Sequence, residues 1–507
     1  MFGANSWHIA EPQLSFGMNG RSPDPKTGLM TYGPWRAQGD VPLAHMRLGL
    51  VGTGESIAAA QRWVQRCRQE VVPAIPPSVL KLDRRERDGV DPFLFPRFPG
   101  LEGSQGFQCS PHVPDSLVET LSHRELDVCI RSESRDLVVE AATRLIGDRL
   151  RALAERSTRP DLVIVALPTE LEEFASSPRH RRRARVPDLI IPAHPQLFLF
   201  GDDTRRPSDE PPLARTLHRA LKAEAMRAGV QLPIQIAWPR TFNGGDDVQD
   251  DATRAWNFWV ASYYKAGGCP WQISTLRADT CYVGISFYRP MGDIGSLQTS
   301  MAQVFSHRGD GMVLRGQTFN WNSRRMGEPH VPRDHARDLL RDVLVQYRTH
   351  MQMDPVRLVI HKTSSFSKDE IAGFEDALDN IRFRDFVSID GGSRLRFLRQ
   401  GEEPPLRGTV IEVAPRTHAL FTSGYVPFLQ VYPGFRVPVP LIVRHDHGDD
   451  SPTMVMTEIL GLTKLNWNSA SFATREPITL DFARDVGRIL SELPNGIQPA
   501  TSYRFYM

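Results

Sequence analysis

Short apolar runs alternating with stretches of helical spacing constrain this chain more than any other feature. Asp161-Leu-Val-Ile-Val-Ala-Leu167 is an uninterrupted apolar run, as a parallel strand needs when both of its faces are covered. Arg47-Leu-Gly-Leu-Val-Gly52 reads as an earlier strand, followed by helical spacing from Glu55 to Val71. After a loop-rich stretch over about 74–118, the pattern predicts a strand at Leu126–Ile130 and a helix from Arg135 to Glu155. Strands alternating with helices imply an α/β fold, Rossmann-like in the first half.

A second cycle begins near Cys281. Tyr282–Phe287 and Met312–Arg315 read as neighbouring strands, followed by a helix Asp334–His350, a strand Arg357–His361 and a helix Lys368–Leu378. Strands are expected around Leu395–Phe397, Val410–Val413, Gln430–Tyr432 and Pro440–Val443, then helices Thr453–Leu462 and Ile478–Leu493. With 507 residues the prior is two to four domains. The Gly-Gly turn at Ala266–Pro270 divides the halves, and residues 1–38, rich in Gly, Pro and Asn, read as an extended arm.

No apolar run is long enough to cross a bilayer and the N-terminus does not have the pattern of a secretory signal, so no membrane contact is expected. Five scattered cysteines without a C-x-x-C pair argue against disulfide or zinc frameworks and for a reducing, cytoplasmic setting. The 61 basic residues nearly cancel the 59 acidic ones, so any basic binding surface must come from clustering. Only seven of those bases are lysine (Lys26, Lys81, Lys222, Lys265, Lys362, Lys368, Lys464). Codon bias explains the scarcity, yet each retained lysine marks a place where a compact, rotatable ammonium suits the chain.

One helix carries candidate chemistry. Over Leu213–Gly229, Leu213, Leu217, Leu221 and Ala225 form an apolar face, while His218 and Lys222 lie one turn apart on another. Gln235 follows, and Lys265 ends just before the Gly-Gly turn. Two cations, an imidazole and an amide could converge on a phosphate, whose oxygens accept several donors. Spacing alone does not separate this from an amphipathic helix with a solvated polar face.

The arrangement His218-x-x-x-Lys222, Gln235 and Lys265-x-Gly-Gly-x-Pro-Trp271 resembles the guide 5′-phosphate pocket of the Argonaute MID domain, in particular that of short prokaryotic Argonautes. Glu11-Pro-Gln-Leu-Ser-Phe-Gly17, Asp24-Pro-Lys-Thr-Gly-Leu29 and Tyr32-Gly-Pro34 resemble the N-terminal arm of the same group. Gly461-Leu-Thr-Lys-Leu-Asn-Trp-Asn468 and Pro477-Ile-Thr-Leu-Asp-Phe-Ala-Arg484 resemble its final PIWI segments, so the resemblance covers nearly the whole chain. It implies an arm over 1–38, a Rossmann-like MID lobe over 39–270 and an RNase H-like PIWI lobe over 271–507. It further implies Mg²⁺ at the guide 5′ end, held with the C-terminal carboxylate of Met507, hard oxygens suiting a hard cation.

The same resemblance draws attention to missing groups. Slicing members of the family hold two metal ions in a cage of acids, which two-metal phosphodiester cleavage requires. At the corresponding places this chain has Ser286, Thr363 (with Ser364) and Asn466 (with Asn468), and Gln317 where a glutamate finger belongs. Neutral side chains are poor ligands for two divalent cations, so no slicing is expected. Arg444-His-Asp-His-Gly-Asp-Asp450 reads as a polar loop rather than a metal site, and Arg179–Arg185 as a basic run available to backbone phosphates. Glu370 and Glu375 are given no chemistry. The implied partners are a guide RNA (or DNA), a complementary single-stranded DNA target, and an APAZ-containing effector of TIR, sirtuin-like or nuclease type, in prokaryotic defence. An active nuclease with unconventional ligands and a non-guided scaffold remain as alternatives.

Overall fold

The computed structural model describes residues 5–37, 40–74, 96–132, 134–175, 215–245, 248–277, 279–289, 296–305, 311–321, 327–378, 381–392, 395–430, 432, 437–493 and 497–507. The arm contributes three short strands, β1 (Ser6–His8), β2 (Leu14–Ser15) and β3 (Arg21–Ser22), and a helix α1 (Pro25–Tyr32). Asp24 caps that helix by accepting the Thr27 amide at 2.7 Å, and Pro25 stands at its first turn, where its missing N–H costs nothing.

The first lobe begins with β4 (His45–Gly52) and α2 (Gly54–Cys67), capped by Thr53. Next come β5 (Ser110–His112), β6 (Val118–Thr120), α3 (His123–Ile130), α4 (Arg135–Ala154) and β7 (Leu162–Ala166). The lobe ends with α5 (Leu217–Ala225), β8 (Ile234–Ala237) and α6 (Asp251–Lys265). Strands β5, β4, β7 and β8 pair in that order, with β6 also on β4, and every pairing is parallel. All five residues of β7 are buried, as its apolar run predicts for a strand covered on both faces.

One element here is not as the pattern suggested. Leu126–Ile130 is helix, not strand: Ser122 and Glu125 form a reciprocal capping box, and Leu126 and Cys129, three apart, are buried while Val128 is exposed. A short alternating apolar run fits both periods, and the cap decided it.

After a two-residue strand β9 (Gln272–Ile273) come β10 (Thr280–Tyr288), β11 (Ser296–Phe305), β12 (Val313–Asn320), α7 (Arg333–Met351), β13 (Arg357–Lys362) and α8 (Lys368–Glu375). Then follow β14 (Phe383–Asp390), β15 (Thr409–Ala414), β16 (Thr417–Leu420), β17 (Leu441–Gly448), α9 (Pro452–Leu462) and α10 (Ile478–Leu490). These strands and the arm's first make one nine-stranded sheet in the order β1-β15-β16-β17-β14-β13-β10-β11-β12. Only β10–β13 and β13–β14 are parallel. Helix α10 lies close on β10 because residue 284 is glycine: a Cβ there would stand 1.8 Å from the Thr479 carbonyl oxygen.

Several expectations change. β12 is not a neighbour of β10, because β11 lies between them. Leu395–Phe397 is not strand, and Gln430 closes a 3-10 turn over Pro427–Leu429 with φ 50°, while β14 and β16 were not foreseen. The polar run Arg444–Gly448 is not a loop but the continuation of β17. His445 reaches Asp385 and His447 reaches Glu375, both at 2.9 Å, so acids on β14 and α8 pair with the two imidazoles.

The largest core crosses both lobes. It joins Leu14 and Leu29 of the arm, Leu48 and Trp63 near β4, Trp256 and Trp259 of α6, Tyr282 of β10, Phe482 of α10, and the chain end at Tyr506 and Met507. Packing therefore continues through the Ala266–Pro270 turn.

Candidate functional site

Helix α5 starts where Thr216 caps the Arg219 amide, and Leu217, Leu221 and Ala225 bury its apolar face against α4 and the parallel sheet. The expected first turn from Leu213 lies outside the described residues, as does the basic run Arg179–Arg185. The face that carries Lys222 turns towards the second lobe. Its ammonium donates to the Tyr506 carbonyl oxygen at 2.9 Å, one peptide unit from the end of the chain at Met507. Lys265, the last residue of α6, donates to Gln235 Oε1 of β8 at 2.6 Å.

Both lysines are buried, at 8% and 3% exposure. Burial pulls the Lys222 ammonium down from 10.5 to about 8, with Asp485 the charge that opposes the fall. Burial, then the field of Lys222, pushes Lys265 well below its ordinary range. His218, partly buried, is held well below 6.5 by burial and by Lys222, Lys265 and Arg219, so it is a neutral imidazole at pH 7. Mutual repulsion of this kind places the three side chains in one electrostatic neighbourhood. Among the described residues neither lysine has a carboxylate within 4.0 Å, whereas buried Lys362 has Glu370 and buried Lys464 has Glu11. Desolvated cations without a counter-anion are costly, and an anion entering the pocket removes that cost.

Tyr264, next to Lys265 in the chain, belongs to an aromatic cluster. Trp467 stacks on Tyr264 with centroids 4.5 Å apart, and Tyr503 lies edge-on to Tyr264 and packs on Phe482. Arg219, beside His218, is drawn towards buried Glu492, which also accepts from Arg215 at 3.0 Å. The sequence reading missed Tyr506, Asp485 and Trp467. They lie more than 200 residues from Lys222, and no local spacing signals them.

The positions where slicing acids would stand are placed as follows. Ile285 pairs with Lys362 across the parallel β10–β13 ladder, so the next step sets Ser286 beside Thr363. Thr363 is exposed, and Ser364 donates to the Pro329 carbonyl oxygen. Asn466 is held elsewhere, near α10, by Asp481 at 3.5 Å and the Asn468 amide at 2.9 Å. Gln317 is exposed on β12. Glu370 spans its helix cap and the Lys362 ammonium, and Glu375 holds Arg384 and His447, so both are structural. Among the described residues no three His, Cys, Asp or Glu side chains are grouped to hold a metal ion, and no helix is long and apolar enough to cross a membrane.

A parallel sheet beside a nine-stranded mixed sheet, sharing a core, defines a two-lobed α/β protein with Rossmann-like and RNase H-like halves. Comparison with known proteins shows what this chain is similar to. A curated Argonaute of Cereibacter sphaeroides is 23% identical over 327 residues, covering 59% of this chain and 40% of that protein. The Argonaute of Clostridium butyricum, solved with a guide DNA and a 19-mer target DNA, superposes with a TM-score of 0.63 at 14% identity. That match covers 98% of this chain and 54% of the other. Drosophila Piwi gives 0.54 at 11% identity, covering 99% and 56%. No protein-family profile matches. The chain is an Argonaute homologue in sequence and has the Argonaute fold; it spans about half the length of the relatives it matches.

Proposed function

We propose that this protein holds the 5′-phosphate of a guide strand among His218, Lys222, Gln235 and Lys265, and recognises a complementary strand without cutting it. The observation that carries the reading is the pair of buried lysines lacking any carboxylate partner among the described residues. On this reading residues 1–38 are the arm, 39–270 the MID lobe and 271–507 the PIWI lobe. Affinity comes from phosphate contacts and specificity from base pairing. Guide RNA, a single-stranded DNA target and an APAZ-containing effector that acts in defence complete the proposal, on the resemblance alone.

On the resemblance, Mg²⁺ would be held by the Met507 carboxylate, next to the Tyr506 carbonyl oxygen that Lys222 reaches. A hard cation there would take phosphate oxygens as further ligands. When bound it would neutralise phosphate charge; His218, Lys222 and Lys265 orient the same group by donating to it. Ser286, Thr363 and Asn466 offer no carboxylate to a slicing metal pair.

The test is binding of a labelled short RNA, 5′-phosphorylated or 5′-hydroxyl, in Mg²⁺ to wild type and to Lys222→Ala/Lys265→Ala. Each charge-assisted bond contributes about 1.5–3 kcal/mol, so the double variant is expected to lose about 100-fold or more for the phosphorylated strand alone. Equal binding of both strands by wild type sinks the reading. Cleavage of a paired target would contradict its second half.

A further inference from the structure

Another buried lysine lies outside the site yet reaches segments that flank Lys265. Lys464, 2% exposed, sits between α9 and α10. Its ammonium reaches Glu11 at 2.8 Å and donates to the Pro23 carbonyl oxygen at 2.6 Å, both in the arm, and it lies 3.5 Å from the Phe472 ring centroid. Arg407 shares Glu11, at 3.0 Å. The Lys464 carbonyl oxygen accepts the Trp271 indole N–H at 2.8 Å, and three residues on Trp467 stacks on Tyr264. Tyr264 immediately precedes Lys265, and Trp271 ends the turn that follows it.

The arm grips the same turn from its other side. Trp35 donates its amide to the Pro270 carbonyl oxygen at 3.2 Å, and Leu14 and Ser15 pair with Ile273 and Gln272. The α6–β9 turn is thus clamped between the arm and the 463–474 segment, and Lys464 joins the two jaws directly, while Arg407 links them through Glu11 and Thr463. Gly267 inside the turn has φ 106°, a backbone that glycine adopts readily.

From this we infer that Lys464 is a positioning residue for the anion site, setting where Lys265 stands through the arm and the α6–β9 turn. The inference rests on the phosphate reading proposed above. Displacing the arm therefore weakens phosphate capture without touching the pocket. A misplacement of about 1 Å at a positioned charge is enough to lose most of its directed contribution.

Lys464→Met tests it: the chain length stays nearly the same, Glu11 keeps Arg407, and only the ammonium that ties the jaws is lost. Affinities for 5′-phosphate and 5′-hydroxyl RNA are measured on the full chain, with melting temperatures alongside. The phosphate advantage is expected to fall about tenfold or more, while 5′-hydroxyl binding stays within about twofold. Trp467→Phe, which keeps the core largely filled and reduces the stack on Tyr264, gives the same readout if Lys464→Met yields no folded protein. An unchanged phosphate advantage in a folded variant overturns the inference. So does an equal loss for both ends in step with the melting temperature, since that is a purely structural effect. Absence of any phosphate advantage in wild type instead overturns the pocket reading itself, and the wild-type arm of the experiment shows which has failed.

Discussion

Raising the pH from 7 to 9 is expected to erode the phosphate preference, because Lys222, one of the two lysines of the site, titrates in that window. Lys222 is pulled from 10.5 to about 8 by burial, and Lys265 is also driven well below its ordinary range. A bound phosphate favours the ammonium forms, so binding draws in protons. With one lysine titrating at about 8, its charged fraction falls from about nine-tenths at pH 7 to about one-tenth at pH 9, a roughly tenfold loss worth about 1.4 kcal/mol. Guide-free stability runs the other way. A lysine whose folded value lies below its unfolded 10.5 binds more protons when unfolded, so its contribution to stability rises with pH between about 8 and 10.5. For Lys222 the cost of burial at pH 7 is roughly 3 kcal/mol. Fluorescence anisotropy with 5′-phosphate and 5′-hydroxyl strands at fixed ionic strength, at pH 7, 8 and 9, reads the first effect. The hydroxyl strand controls for backbone contacts elsewhere. Lys222→Met against wild type in denaturant melts reads the second, the variant gaining most at the lower pH. A phosphate preference that stays constant from pH 7 to 9 would refute the account of two desolvated lysines.

Two further substitutions test the frame that holds the site. Arg357, 3% exposed, bonds Asp385 at 3.0 Å and Glu458 at 2.7 and 3.0 Å and lies 2.7 Å from Asp450, so Arg357→Met strands buried acids. A loss of about 3–5 kcal/mol is expected in equilibrium denaturation, and a loss below about 1 kcal/mol would contradict the burial of this cluster. Gly284→Ala drives a methyl to 1.8 Å from the Thr479 carbonyl oxygen and must lift α10 from β10. At least about 1–3 kcal/mol of destabilisation is expected, with a measurably weaker phosphate preference, since α10 carries Phe482 against Tyr503.

How much of this was legible in the sequence follows the range of the forces involved. Helix α4 and strand β7 appear where their patterns put them, because local spacing and local burial agree there. Leu126–Ile130 did not, because five residues support either period and the deciding cap lies upstream at Ser122. Strand β11 was missed because SLQTSMAQVF mixes polar and apolar residues without a clear two-residue rhythm, and its place comes from pairing with β10 and β12. The Arg444–Gly448 run reads as a loop by polarity, yet Asp385 and Glu375, brought by β14 and α8, satisfy its histidines within the sheet. Partners supplied by distant chain segments leave no trace in local composition. The pocket shares that limit: its lysines were visible, and the Tyr506 carbonyl, 284 positions away from Lys222, was not.

The lysines themselves explain why some of the site could be read at all. In a chain that uses arginine almost everywhere, five of the seven lysines are buried; Lys368 is exposed and Lys81 lies outside the described residues. A buried guanidinium brings five donors in a fixed fork and needs acceptors all around it, as Arg407 has in Glu11, Thr422, Leu460 and Thr463. A buried ammonium has three donors and can be held by fewer groups. Lys362 spends its charge on both oxygens of Glu370, and Lys464 on Glu11 and the Pro23 and Phe472 carbonyls, so these are structural lysines. Lys222 and Lys265 each make a single hydrogen bond to a neutral oxygen among the described residues. Their remaining donors, with no carboxylate within 4.0 Å among the described residues, suit an anion with several acceptor oxygens.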